Sequence, residues 1–134
     1  MPKPVYEIDG SEFATLEEFF AVVSRVLIPD AEWGHNLNAF NDILRGGFGT
    51  PEGGFVLRWA NSSVSRERLG YVETIRQLED HLICCHPSNR PSIVEDIQRA
   101  REGVGSMVFD WLVEIIQDHR AGGDQRGEVE LILA

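Results

Sequence analysis

A chain of 134 residues, 43% hydrophobic and 25% charged, matches a single soluble globular domain over residues 1–134. Its apolar runs are far too short to span a membrane, and no basic start precedes an apolar run as in a signal peptide, so the expected location is cytoplasmic. A net charge of −10 repels nucleic acid and attracts a basic partner, although acidity by itself also keeps a protein soluble.

Val5 to Ile8 reads as a short strand, closed by the turn pair Asp9-Gly10. Thr15 followed by Glu18 fits a capping box ahead of Leu16, Phe19, Phe20, Val23 and Leu27, one apolar stripe at helical spacing that Pro29 and Asp30 stop. Next, Asn36 is a suitable N-cap for a short helix whose Leu37, Phe40 and Leu44 share a face and whose end is marked by Gly46 and Gly47. Phe55 to Trp59, bounded by glycines, reads as a buried strand. After a polar link, NSSVSRERLG, three helical patterns follow. The first carries Tyr71, Ile75, Leu78 and Leu82. The second carries Ile93, Ile97 and Ala100 behind a Ser92/Glu95 capping box. The third and strongest carries Val108, Trp111, Leu112, Ile115 and Ile116. The loop RAGGDQRG leads to a last strand, Val129 to Leu133. Helical crossovers between short apolar strands predict an α/β fold with a small parallel sheet.

No catalytic spacing stands out. The histidines His35, His81, His86 and His119 match no known arrangement, and GGFG at Gly46 to Gly49 lacks the Lys-Ser/Thr of a phosphate loop. HLICCH places His81 and Cys85 four apart, as zinc would accept, but no second ligand pair accompanies them. The adjacent Cys84 and Cys85 read instead as free, helix-buried thiols in a reducing compartment, with neither metal nor cofactor expected. Trp59 and Trp111 read as core. Trp33, in a loop, is open to either a partner or a covering role.

One stretch, EWGHNLNAFNDILRGG from Glu32 to Gly47, fits a purely packing helix poorly, with three asparagines, a histidine and one acid near the helix end. Its residue types admit two readings equally. One is a decorated solvent-facing helix. The other is a docking surface, in which Asn36, Asn38 and Asn41 lose little rotamer entropy and Asp42 anchors a partner's arginine or lysine.

The same stretch resembles the barstar family, in which a loop of the type Tyr-Gly-x-Asn-Leu-Asp-Ala leads into the second helix; here it reads Trp33-Gly34-His35-Asn36-Leu37-Asn38-Ala39. YEIDGSEFATLEEFF resembles that family's first strand, turn and helix, FVLRW its second strand and EVELILA its third. The resemblance implies a three-stranded parallel sheet flanked by helices, with extra helices (residues 69–105) inserted before the last strand, and no catalysis. It implies an intracellular inhibitor that plugs a basic ribonuclease, barnase-like or another nuclease toxin; charge and composition separately exclude nucleic acid and membrane as expected partners, and a monomer is the favoured state. The docking set it implies is Glu32, Trp33, Gly34, His35, Asn36, Asn38, Asn41, Asp42 and Gly46, with Asp118 as the acid of the last helix and Glu114 behind it. Asp42 takes the place of the family's main anchoring aspartate. Asn38 stands where the best-known member has an acid, Asn41 where it has a tryptophan and Glu32 where it has a tyrosine. Losing an apolar anchor and a charge argues against barnase itself as the target. The other expectation is a non-inhibitory interaction or regulatory module that uses the inserted helices as its contact surface.

Overall fold

The computed structural model describes residues 4–29, 36–45, 54–118 and 128–134. Strand β1 (Val5–Asp9) precedes α1 (Leu16–Leu27) and α2 (Leu37–Arg45). Central strand β2 (Gly54–Ala60) is followed by α3 (Ser62–Arg68), α4 (Tyr71–Cys84), α5 (Arg90–Arg101) and α6 (Val108–Gln117), and β3 (Glu128–Leu133) closes the sheet. The order is β1-β2-β3, all parallel, with Ile8 opposite Trp59 and Phe55 opposite Val129. This is the expected α/β fold with a three-stranded parallel sheet.

The expected cap of α1 forms with a shift. Thr15 accepts from the Glu18 N–H at 3.1 Å, but the Glu18 carboxylate reaches back to the N–H of Ala14 rather than that of Thr15. The whole predicted stripe from Leu16 to Leu27 is buried. Trp59 sits at the centre of the core, stacked on Phe19 at 5.4 Å and tilted against Phe13 and Phe109. Such aromatic pairs add to the area they bury.

Three expectations about elements are corrected. β2 is not buried on both faces: Phe55, Leu57 and Trp59 point into the core, while Val56 and Arg58 are half-buried on the face that also carries exposed Val5, Glu7 and Ile132. The supposed polar link contains α3. Asn61, in the left-handed region at φ 54°, opens it, and its carbonyl accepts from Val64 N–H at 3.0 Å. Asparagine tolerates that conformation. No apolar stripe announces α3 because its inward residue is Ser65, whose hydroxyl accepts from the Trp59 indole N–H at 2.9 Å. Finally, α5 starts at Arg90, so Ser92 lies inside the helix and caps nothing; Pro91 preorganises the first turn. The predicted apolar residues Ile93, Ile97 and Ala100 are buried as expected, outside the main core cluster.

Gly10 follows β1 and faces α3. A Cβ there would meet Ser65 Oγ at 2.2 Å and the Asn61 carbonyl at 2.5 Å. Gly10→Ala is therefore expected to destabilise by about 2 kcal/mol, because backbone must move to admit the methyl; a urea midpoint equal to wild type would contradict this close approach.

The thiols are free, as expected, but they are not buried in the helix. Cys84 is exposed and Cys85 half-buried, and neither is bonded to the other. Helix α4 buries residues of its first turn and leaves the core at its end, where Ile83 is 78% exposed. Among the described residues, no three His, Cys, Asp or Glu side chains converge as a metal site.

Candidate functional site: the α2 face and the cleft beside it

Asn36 does what its residue type predicts: its side-chain oxygen accepts from the Ala39 N–H at 2.8 Å and its carbonyl from Phe40 N–H at 2.9 Å. The helix then buries Phe40, Ile43 and Leu44, with Phe40 set edge-on against Phe19 at 5.3 Å. That inward face forces the polar positions outward. Asn36, Asn38 and Asp42 are exposed and Asn41 is half-buried. Asn38 and Asp42 are four apart and so share one side of the helix. Among the described residues neither has a hydrogen-bond or ion-pair partner within the chain.

Asp42 lies in the last turn of α2, where the helix dipole disfavours an acid. Its position therefore does not serve the helix. Asp118 is exposed at the C-cap of α6, its N–H bonded to the Glu114 carbonyl at 3.0 Å, on the helix against which α2 packs. The structure thus brings Asn36, Asn38, Asn41 and Asp42 onto one element and sets Asp118 on its neighbour. Glu32, Trp33, Gly34, His35 and Gly46 lie outside the described residues, as does His119.

Beside the N-terminal end of α2 opens a cleft of about 550 Å³ that the sequence did not announce. Leu16 and Phe20 of α1 form part of its lining, together with Leu37, Leu78 and Trp111. The polar groups at it are Asn36 and Asn38 of α2, with Glu17, Gln77 and His81. Trp111, expected in the core, is only half-buried because it faces this opening.

Helix α4 is held to this site by polar contacts that periodicity conceals. Glu73, 5% exposed, accepts from the Leu16 N–H at 2.8 Å, an orphan donor at the start of α1. Arg76 donates to Glu73 at 2.7 Å and also reaches Glu17, and Gln77 donates to both carboxylates. Next to Glu73, the buried Thr74 hydroxyl accepts from Val108 N–H at 2.9 Å, so α4 caps α6 as well. Sequence reasoning missed Glu73 and Thr74 because both look like ordinary solvent-side positions of an amphipathic helix.

Burial pushes the Glu73 carboxyl up, but the bonds from Arg76, Leu16 and Gln77 outweigh it and hold the group below its ordinary value of 4.5. Glu17 is lowered in the same way: burial opposes, and Arg76 and Gln77 prevail. A carboxyl lowered by folding contributes stability above its unfolded value, and that contribution fades as pH falls through the lower folded value. Wild type is thus expected to lose stability progressively below about pH 4.5. Glu73→Gln should flatten that loss, and urea midpoints at neutral and acid pH that change in parallel for both proteins would contradict it.

Taken together, three parallel strands, helices packed on one side of the sheet among the described residues and an exposed polar helix define a small α/β protein. The chain belongs to the barstar family: the family model described as Barstar (barnase inhibitor) matches residues 3–83, which include β1, both flanking helices and β2. Barstar-family proteins are inhibitors rather than enzymes. No curated protein is similar enough to match the chain. Among the described residues no helix is long and apolar enough to cross a membrane.

Proposed function

We propose that this protein is an intracellular, immunity-type inhibitor of a basic ribonuclease and blocks that enzyme's active site through the loop and helix of residues 32–47. The observation that carries the reading is Asp42: exposed, without a partner among the described residues and set against the helix dipole, inside the family-matched segment. Its carboxylate stands in for a substrate phosphate among the nuclease's cations, and Asn38 and Asn41 supply short polar contacts alongside it. Overall acidity steers the encounter. In this reading Asp118 adds a rim charge, and residues 69–105 are a helical insertion within a single domain.

The test is affinity capture from the source organism's lysate and secreted fraction, with wild type and Asp42→Ala as paired baits. A basic ribonuclease held by wild type and lost by the variant is the expected result. A partner held equally by both, or one without nuclease activity, overturns it.

A second reading has its own support. Val72, 87% exposed, Ile83, Val94 and Val104 are large exposed apolar residues that all fall within the 69–105 segment. They are the apolar side chains that a partner docking on this segment would cover. If the protein is instead a non-inhibitory interaction module, resurfacing the exposed side of residues 90–101 removes the partner while Asp42→Ala does not.

A further inference from the structure

We propose that the cleft between α1, α2, α4 and α6 is a second docking subsite, which receives an aromatic side chain projecting from the same cationic partner that Asp42 anchors; this rests on the inhibitor reading above. Three observations carry it.

The cleft is continuous with the candidate docking face, since Asn36 and Asn38 belong to both. Its make-up, apolar Leu16, Phe20, Leu37, Leu78 and Trp111 with polar groups beside them, is that of an anchor pocket at a protein interface, and about 550 Å³ holds a whole ring. Its walls are already in place: Glu17 and Gln77, which line it, are members of the network that fastens α4 to the start of α1. Docking therefore orders little that was loose.

Charge selects the occupant. Apart from α2, the helices that frame the cleft (α1, α4 and α6) carry seven acids against two arginines, so an aromatic group flanked by lysine or arginine is favoured over one flanked by acids. The subsite also supplies what α2 lacks, because its own exposed positions are asparagines and an aspartate and offer no apolar anchor.

The test uses the tripeptide acetyl-Lys-Trp-Lys-amide, with acetyl-Lys-Ala-Lys-amide as the charge control, titrated into the isotope-labelled full chain and followed by NMR. The expected result is a set of shifts at the amides of Asn38, Gln77 and Leu78 and at the Trp111 indole N–H, with intermolecular NOEs from the peptide ring to the methyls of Leu37 and Leu78. Leu78→Arg is expected to weaken this binding by about tenfold or more. Asp42→Ala should leave it in place. The NOEs are read in wild type, so the result stands even if Leu78→Arg does not fold. Shifts scattered over the surface, equal shifts with the alanine peptide, or absent NOEs overturn the subsite. If a ribonuclease is captured through Asp42 while the peptide fails to seat, the subsite is wrong and the inhibitor reading survives. If the peptide seats and no ribonuclease is captured, the cleft binds aromatic groups and the ribonuclease partner is wrong.

Discussion

Asp42→Ala is expected to cut affinity for the ribonuclease by about 30-fold or more, equivalent to roughly 2 kcal/mol upward, when measured by titration calorimetry. Barnase–barstar is itself one of the pairs on which that range was established, so the size of the effect is borrowed from that complex. The sign comes from this chain. The carboxylate is exposed and has no internal partner among the described residues, so the partner's cation is what its loss leaves unpaired. Stability should move the other way or not at all. An acid in the last helical turn opposes the dipole, and its removal is expected to raise stability by a few tenths of a kcal/mol. A thermal melt of the variant therefore separates the two roles. A variant that unfolds, or one that binds as wild type does, would remove Asp42 from the position of anchor. Raising the salt should slow association of wild type more than of the variant, because an exposed charge acts over a Debye length.

Glu73→Ala is expected to lower stability by about 3 kcal/mol, because it leaves Leu16 N–H without an acceptor and Arg76 without its buried partner. For a domain of this size that is a fall in melting temperature of about 10 °C. Glu73→Gln should cost less, since an amide oxygen can still accept from Leu16. A melting temperature within a degree or two of wild type for Glu73→Ala would mean that α4 is not fastened to α1 through this carboxylate. The effect bears on function, because Gln77 and Leu78, one turn further along α4, line the cleft. Loosening α4 should therefore weaken binding of the aromatic peptide as well, whereas Asp42→Ala should not touch it.

Much of the fold was legible in the residues because its signals are local. The helix of Leu16 to Leu27 declares itself by apolar spacing and by the Thr15 just before it, all in one short stretch, and the helix after Asn36 does so by its cap and by Phe40 and Leu44. The segment Ser62–Arg68 was not legible. Its inward side chain is a serine, and a serine counts as apolar only when the Trp59 indole is there to satisfy it. Trp111 shows the same limit from the other side: an apolar residue on a strong stripe reads as core, and only the arrangement of four helices makes it line an opening.

By itself, then, the sequence determined the three strands, the helices other than Ser62–Arg68, the parallel sheet that their order requires, and the polar outward side of the helix that carries Asp42. Each of these depends on spacing along a few turns or on the alternation of a strand, and such periodicities are written in neighbouring residues. Tertiary structure alone decided the cleft, the capping of two helices by Glu73 and Thr74, and the open face of the sheet. Glu73 and Leu16 are 57 positions apart, and Thr74 and Val108 are 34 apart. No spacing rule spans such distances. A buried carboxylate is tolerable only where its partners have been delivered by the rest of the fold, and that delivery is a property of packing and not of any segment.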